Sequence, residues 1–534
     1  MKQQLETVSI AERIRSLMGA DTEAVFAHRL RIPPHSIAVC LQGRVPDPAT
    51  LARISETCEV SLEWLLRGPS RDEVRLTAPE DKAPDGATRA VPPPASLVVN
   101  HSALAAVRGF VSNPLLVEMA REEIKRWIKD KAIKGRDGAA EIASRTASRA
   151  QVLSLPRRSY VNATGIIIHT GWGNAPFHRE ARERLVTATG PSPTGATEAL
   201  PRIETCARLL RALTGAEAAT VTTGNAASVL LVAGALASGR EIVVAARDLV
   251  EISEGARISD ILQAVGARVV SVGSANCVYL ADYERAISGQ TAMILRVRVS
   301  NMASSGYIAH VSGDALAELA QKYNLFYVDN LGGGSLVDLT KRGIPECPTL
   351  QQGILDNAHL VLASGDKIIG GPQAGIIVGK KDCVSRVSHH VLARTCRPAK
   401  LTLAALEATL SVYVAGRAWD EMPTLRLLRC SEKELSQRAA AMGKALSAAG
   451  MEATVAADAT ECGGAVLPGI AFPTWTIQIK HPRFTEDQLY DVILARGVVA
   501  RRAQGKLILD LRSVLPEEDS LLQHAVAGSG EPVA

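Results

Sequence analysis

The chain has 534 residues, is 47% hydrophobic and 22% charged, and carries a net charge of +5. That length suits two to four domains with a sizeable core, and so small a charge excludes a protein working through one global basic field. Nine cysteines are scattered with no CxxC and no Cys/His cluster at zinc spacing, which points to free thiols in a reducing cytoplasm and no metal.

The predicted elements fall into five stretches. The N-terminus, "MKQQLETVSIAERIRS", lacks an apolar signal core, and no run of eighteen apolar residues follows anywhere to span a membrane. Residues 1–68 form a compact unit, in which Val25, Phe26, Leu30, Ile37, Leu41, Leu51, Ile54, Val60 and Leu65 suit four short helices around a small core. Residues 69–96 have no hydrophobic period and end in three prolines, as a flexible linker does. From 97 to 158 the pattern is helical, with Leu115, Met119, Ile124 and Ile128 near a helical period.

From 159 to 425 short apolar runs alternate with helical segments. "EIVVAA", "ARVVSV", "AMILRVRV", "LFYVDN" and "HLVLAS" read as strands, and "AASVLLVAGALASG" and "GDALAELAQKYN" as helices. That alternation predicts an α/β domain with a mostly parallel sheet. Residues 426–534, with "TWTIQI", "GVVARR" and "KLILDL", predict a small C-terminal α+β lobe.

The chemistry concentrates around "SGDKIIGGPQAGII", 364–377, where Lys367 follows a strand and opens a glycine-rich turn. A lysine there serves packing, contacts phosphate, or forms a Schiff base with pyridoxal 5′-phosphate. The third role needs partners, and the sequence supplies candidates. "TVTTGNAASVLL" puts Thr223, Gly224 and Asn225 just before a helix, a cup for phosphate. "FYVDN" ends a strand with Asp329 and Asn330, and an acid there would hold the pyridine nitrogen protonated. Ser364 and Asp366 flank the lysine. Each piece alone has a plainer reading as a solvated lysine, a helix cap or a turn former. Together, in an α/β frame, they favour the cofactor.

Longer segments carry a resemblance. "YVNATGIIIHTGWGNAPF", "LTGAEAATVTTGNAASVLLV", "DLVEISEGARISDIL", "GGGSLVDL", "SGDKIIGGPQAGIIVGKKD", "KLTLAALEATL", "GGAVLPGIAFP" and "LILDLRSVLPEED" resemble the bacterial selenocysteine synthase family, L-seryl-tRNA(Sec) selenium transferase, in the family's order over roughly 160–523. The resemblance implies a fold-type-I pyridoxal-phosphate enzyme that forms a homo-oligomeric ring. It implies conversion of seryl-tRNA(Sec) to selenocysteinyl-tRNA(Sec) with selenophosphate as donor. Lys367 falls on the Schiff-base lysine, Arg202 on one family arginine, and Arg394 and Arg397 on an arginine pair that would hold selenophosphate.

Some positions depart from the family pattern. "HTNLGRAP" reads "HTGWGNAP" here, with Gly171 and Asn174 changed. Counted back from the lysine, the family aspartate falls on Asn330; Asp329 is one residue earlier and, on a strand, faces the other side. Either Asp329 or the Asn330 amide then contacts the ring nitrogen. These departures leave room for a related enzyme acting on a small amino compound.

Separately, "EAVFAHRLRIPPHSIAVCLQGRVPDPATLARISETCEVSLEWLLRGPS" resembles the Cro/CI type of helix-turn-helix. That resemblance implies DNA as a partner, with Pro34–Gln42 as recognition helix and His35, Ser36 and Gln42 at the bases. It also admits a regulator in which the large domain is a sensor.

Overall fold

The computed structural model describes residues 10–18, 22–30, 32–41, 47–58, 60, 92–105, 107–108, 111–129, 138–154, 159–190 and 202–528, the last range without 254, 304, 305, 346 and 504. The chain divides into two compact units, Met1–Leu155 and Pro156–Ala534.

Among the described residues, the first unit is helical. Ile10–Met18, Glu23–Leu30, Pro34–Leu41 and Pro48–Cys58 surround Ile14, Phe26, Leu30, Ile37 and Ile54, all essentially inaccessible. Val25, expected in this core, is exposed, and Leu65 lies outside the described residues. A second cluster joins Ala95–Val99, Asn113–Lys129 and Gly138–Ser154. Its central helix buries Leu116, Met119, Ala120 and Trp127, whereas Leu115 and Ile128 are exposed. Met119 and Ile124 face this core as expected, while at the two ends of the stripe Leu116 replaces Leu115 and Trp127 replaces Ile128.

The second unit contains fourteen strands among its described residues: β1 (Val161–Ala163), β2 (Ala218–Thr222), β3 (Glu241–Ala245), β4 (Glu251–Ser253), β5 (Ala256–Arg257), β6 (Arg268–Val272) and β7 (Thr291–Val297). They continue with β8 (Phe326–Asn330), β9 (Leu360–Ser364), β10 (Gly375–Gly379), β11 (Glu452–Thr460), β12 (Phe472–Lys480), β13 (Val498–Ala503) and β14 (Lys506–Asp510). Seven form one sheet in the order β2-β10-β9-β8-β7-β3-β6. All its neighbours run parallel except β10, which is antiparallel to both β2 and β9.

Helices cover both faces of this sheet, which is why its strands are apolar without a break. Strand alternation deals residues to the two cores by turns: Tyr327, Val361 and Ala363 pack into one, Val328, Leu360 and Leu362 into the other. The helix Asn225–Ala237 belongs to the second core. This is the α/β architecture with a mostly parallel sheet that the alternation of strands and helices predicts.

The smaller sheet, β1-β13-β14-β12-β11, is the C-terminal lobe. β1 pairs in parallel with β13, Val161 opposite Val498. The lobe thus takes its edge strand from residues more than three hundred positions earlier, which the division at 425/426 had placed with the catalytic domain.

Candidate active site

The strands of a doubly covered parallel sheet offer their carboxyl ends to ligands. At that edge β8 ends in Asn330 and β9 in Ser364, and a cavity of about 860 Å³ opens there. Lys367, Ser364, Asp366, Asn330, Gly224 and Asn225 line it.

Lys367 is positioned by its neighbours in sequence. Ile368 and Ile369 are fully buried, and Tyr413 Oη donates to the Ile369 carbonyl at 3.0 Å. The turn closes through Gly370 N–H to the Lys367 carbonyl at 3.0 Å, with Gly370 at φ 73°, a conformation that favours glycine. Anchored on both sides, the lysine is left half-buried with its amine in the cavity.

That amine donates to Asn174 Oδ1 at 3.2 Å. Asn174 lies in the left-handed region, φ 69°, which asparagine tolerates better than most residues. Its Nδ2 donates to Asp366 Oδ2 at 2.6 Å, and Ser364 Oγ donates to Asp366 Oδ1 at 2.6 Å. The amide nitrogen of Ala175 also donates to the Asp366 carbonyl, at 3.2 Å. Ser364, Asp366, Asn174 and Lys367 form one chain of hydrogen bonds. Both Asp366 oxygens, buried at 5% exposure, are engaged in it. Asn174 was visible in the sequence only as a changed position; the Gly-Asn step of "HTGWGNAP" was the signal that it turns sharply.

Across the cavity the helix Asn225–Ala237 begins. Gly224 is its N-cap, and no side chain caps it. The first-turn amides of such a helix suit an anion. Gly224 leaves space before them: a Cβ there would meet nothing nearer than Gln373 Nε2, 3.8 Å away. Thr223 is exposed, its amide bonded to the Cys396 carbonyl at 2.9 Å, and it does not line the cavity. Gln373, also in the lining, was missed in the sequence.

The choice between Asp329 and Asn330 is decided by strand phase. Asp329 shares the face of Tyr327 and is fully buried against β7. There Arg296 donates to it from Nε and Nη2 at 3.0 and 2.6 Å, and Arg298 from Nη2 at 3.1 Å. Burial works against the Arg296 charge, but the Asp329 carboxylate outweighs it and raises the guanidinium pKa. Asp329 is therefore a structural anion and does not face the cavity; the assignment of this residue to cofactor contact is corrected. Asn330 faces the cavity instead. Its Oδ1 accepts from Asn225 Nδ2 at 2.8 Å and from Gly332 N–H at 3.1 Å.

The predicted arginines lie elsewhere. Arg202 pairs with Glu407 at 3.0 Å. Arg394 and Arg397 are exposed and line a different cavity, of about 470 Å³, with His390 and Thr222. In a single chain they do not join Lys367. In the first unit, His35 is exposed and Ser36 half-buried on the helix Pro34–Leu41, while Gln42 lies outside the described residues.

The cavity suits a phosphorylated aromatic aldehyde. It has a lysine for the aldehyde and an open helix start for the phosphate. Asn225 Oδ1, buried without a partner, remains as a polar group for a ligand to satisfy.

Comparisons with known proteins agree. The family model of L-seryl-tRNA selenium transferase matches residues 160–515, which include every residue of this cavity. The chain is similar to the L-seryl-tRNA(Sec) selenium transferase of Moorella thermoacetica, 36% identical over 454 residues, 79% of this chain and 95% of that protein. It is 37% identical over 383 residues to the protein of the same name from Desulfotalea psychrophila, covering 68% and 81% of the two chains. Among solved structures, D-glucosaminate-6-phosphate ammonia-lyase shares the fold, with a TM-score of 0.50 at 21% identity over 71% of this chain and 97% of that one. The cofactor of this family and fold is pyridoxal 5′-phosphate, and the chain belongs to the L-seryl-tRNA selenium transferase family.

Proposed function

We propose that this chain converts L-seryl-tRNA(Sec) to L-selenocysteinyl-tRNA(Sec), taking selenium from selenophosphate. The observation that carries the reading is the Lys367 cavity, with a helix start that no side chain caps, inside the 160–515 family match. When bound, pyridoxal phosphate supplies the electron sink that lets the seryl Cα–H bond break and the β-hydroxyl leave.

The chain's own groups do the rest. Lys367 Nζ would hold the cofactor and is placed to carry the Cα proton. Asn174 orients that amine, and Asp366 with Ser364 orients Asn174. The amides following Gly224 would take the phosphate. Val250, Ile252, Ile258 and Val297 give the cavity an apolar wall that limits water.

Arg394 and Arg397 serve the selenophosphate anion in this reading. Because they line a separate cavity of their own chain, we assign them to the Lys367 site of a second copy, which makes the enzyme a homo-oligomer. The exposed His35 on the short helix Pro34–Leu41 supports DNA as a further partner of the first unit.

The test uses the purified full chain, serine-labelled seryl-tRNA(Sec) and selenophosphate. Labelled selenocysteinyl-tRNA is expected, with no product from Lys367→Ala. Mixing Lys367→Ala with the double variant Arg394→Ala/Arg397→Ala is expected to restore activity if the two sites lie on different copies. A cofactor-loaded protein that is inert towards the tRNA but releases ammonia from a small amino compound overturns the reading. A salt-dependent gel shift lost in His35→Ala tests the DNA partner, and affinity no better than for random sequence removes it.

A further inference from the structure

The cavity's polar groups determine more than where a cofactor sits. The backbone N–H of Gly332 can only donate, so the Asn330 atom 3.1 Å from it is the oxygen. The same oxygen accepts from Asn225 Nδ2. Both lone pairs of Asn330 Oδ1 are thereby engaged. The remaining end of the side chain, Nδ2, makes no hydrogen bond to the described residues and is a pure donor.

The surrounding charges point the same way. Asp366 is the one carboxylate lining the cavity among the described residues, and Ser364 and Asn174 engage both its oxygens. Asp329 is turned across the strand to Arg296 and Arg298. The other titratable groups of the lining, Arg298 and Lys367, are bases. Asn225 Oδ1 is the acceptor left over, and a neutral amide oxygen holds a ring proton far less firmly than a carboxylate does.

We propose that Asn330 offers an N–H donor to the ring nitrogen of pyridoxal phosphate and so keeps that nitrogen unprotonated, the reverse of a carboxylate contact. The proposal rests on the reading that Lys367 holds this cofactor. A neutral ring withdraws electrons less. It suits chemistry in which a β-leaving group departs as the Cα proton is taken, and disfavours chemistry that stores charge on the ring.

The experiment loads the full chain with pyridoxal phosphate labelled with nitrogen-15 in the ring and follows the nitrogen resonance with pH. In the unaltered protein the signal is expected in the unprotonated range throughout neutral pH. Asn330→Asp is expected to move it to the protonated range, while Asn225→Asp moves it less and Asp366→Asn leaves it unmoved. A protonated ring nitrogen in the unaltered protein overturns the proposal while leaving the lysine assignment intact. So does a signal that follows Asp366→Asn rather than Asn330→Asp. Should Asn330→Asp fail to fold, the unaltered protein's own resonance still decides. Failure to take up pyridoxal phosphate at all overturns the cofactor reading and the proposal together.

Discussion

The two sides of strand β8 solve opposite problems with adjacent residues. On one side Asp329 is fully buried and meets two guanidiniums, so a carboxylate is tolerated because its charge is answered at once. On the other side Asn330 is nearly as buried, at 2% exposure, yet meets only amides, and a neutral group is used. The first side ties β8 to β7; the second lines the cavity. The difference teaches that an acid at a strand end is not by itself evidence of an acid in the cavity. One step along a strand reverses the side chain's environment.

Substitutions on the two sides therefore separate activity from stability. The largest effect belongs to the ligand side. Lys367→Ala is expected to lower turnover by about 10³-fold or more with the melting temperature of the cofactor-free protein unchanged, as activity and calorimetry together show. A stability loss of equal weight would mean that the lysine is structural.

Next comes the sheet side. Asp329→Ala removes the carboxylate shared by Arg296 and Arg298 and leaves the buried Arg296 only Asp356, at 4.0 Å, at a cost of about 3 kcal/mol. Urea unfolding measures it. A loss below about 1 kcal/mol would show that the ion pairs are not what holds β7 against β8.

Asp248 belongs to the same side of the argument, as a buried acid without a full ion pair. Its Oδ2 accepts from the Val297 amide at 3.0 Å, but burial dominates and pushes its carboxyl up to about 6. A raised carboxyl contributes stability that is present at low pH and lost as pH rises from about 4 through about 6. The loss is of order 2–3 kcal/mol. Asp248→Asn keeps the oxygen that accepts from Val297 and is expected to flatten that part of the stability profile. An unchanged slope between pH 4 and pH 7 would remove Asp248 as its source.

The smallest stability effect is expected from Asn330→Asp, because the new carboxylate can still accept from Gly332 N–H and Asn225. A loss of about 1–2 kcal/mol, the cost of a buried carboxylate that meets amide donors but no paired cation, read by the same urea titration, would accompany the altered ring-nitrogen signal. A loss of several kcal/mol would place Asn330 with Asp329 as a structural group.

Much of the frame was legible beforehand, for local reasons. The strands "EIVVAA", "LFYVDN" and "HLVLAS" were readable because a sheet covered on both faces is apolar without interruption. The lysine turn was readable because glycines, strand end and lysine are contiguous. Along the helix stripe at 115–128 Met119 and Ile124 face the core as expected, but Leu116 and Trp127 take the places of Leu115 and Ile128, since those neighbours are equally apolar and only packing separates them. Asn174 was seen as a substitution but not as the partner of Lys367, which lies 193 residues away.

By itself the sequence determined that segments such as "EIVVAA", "LFYVDN" and "HLVLAS" are strands and that Lys367 opens a glycine-rich turn. These follow from residue type and short spacing. Tertiary structure alone decided that Asp329 turns to Arg296 and Arg298, that Asn330 faces the cavity, that Arg394 and Arg397 line another, and that β1 joins the C-terminal sheet. Each of those depends on which face of a strand meets which neighbour, and that is settled by pairing and burial between residues far apart in the chain.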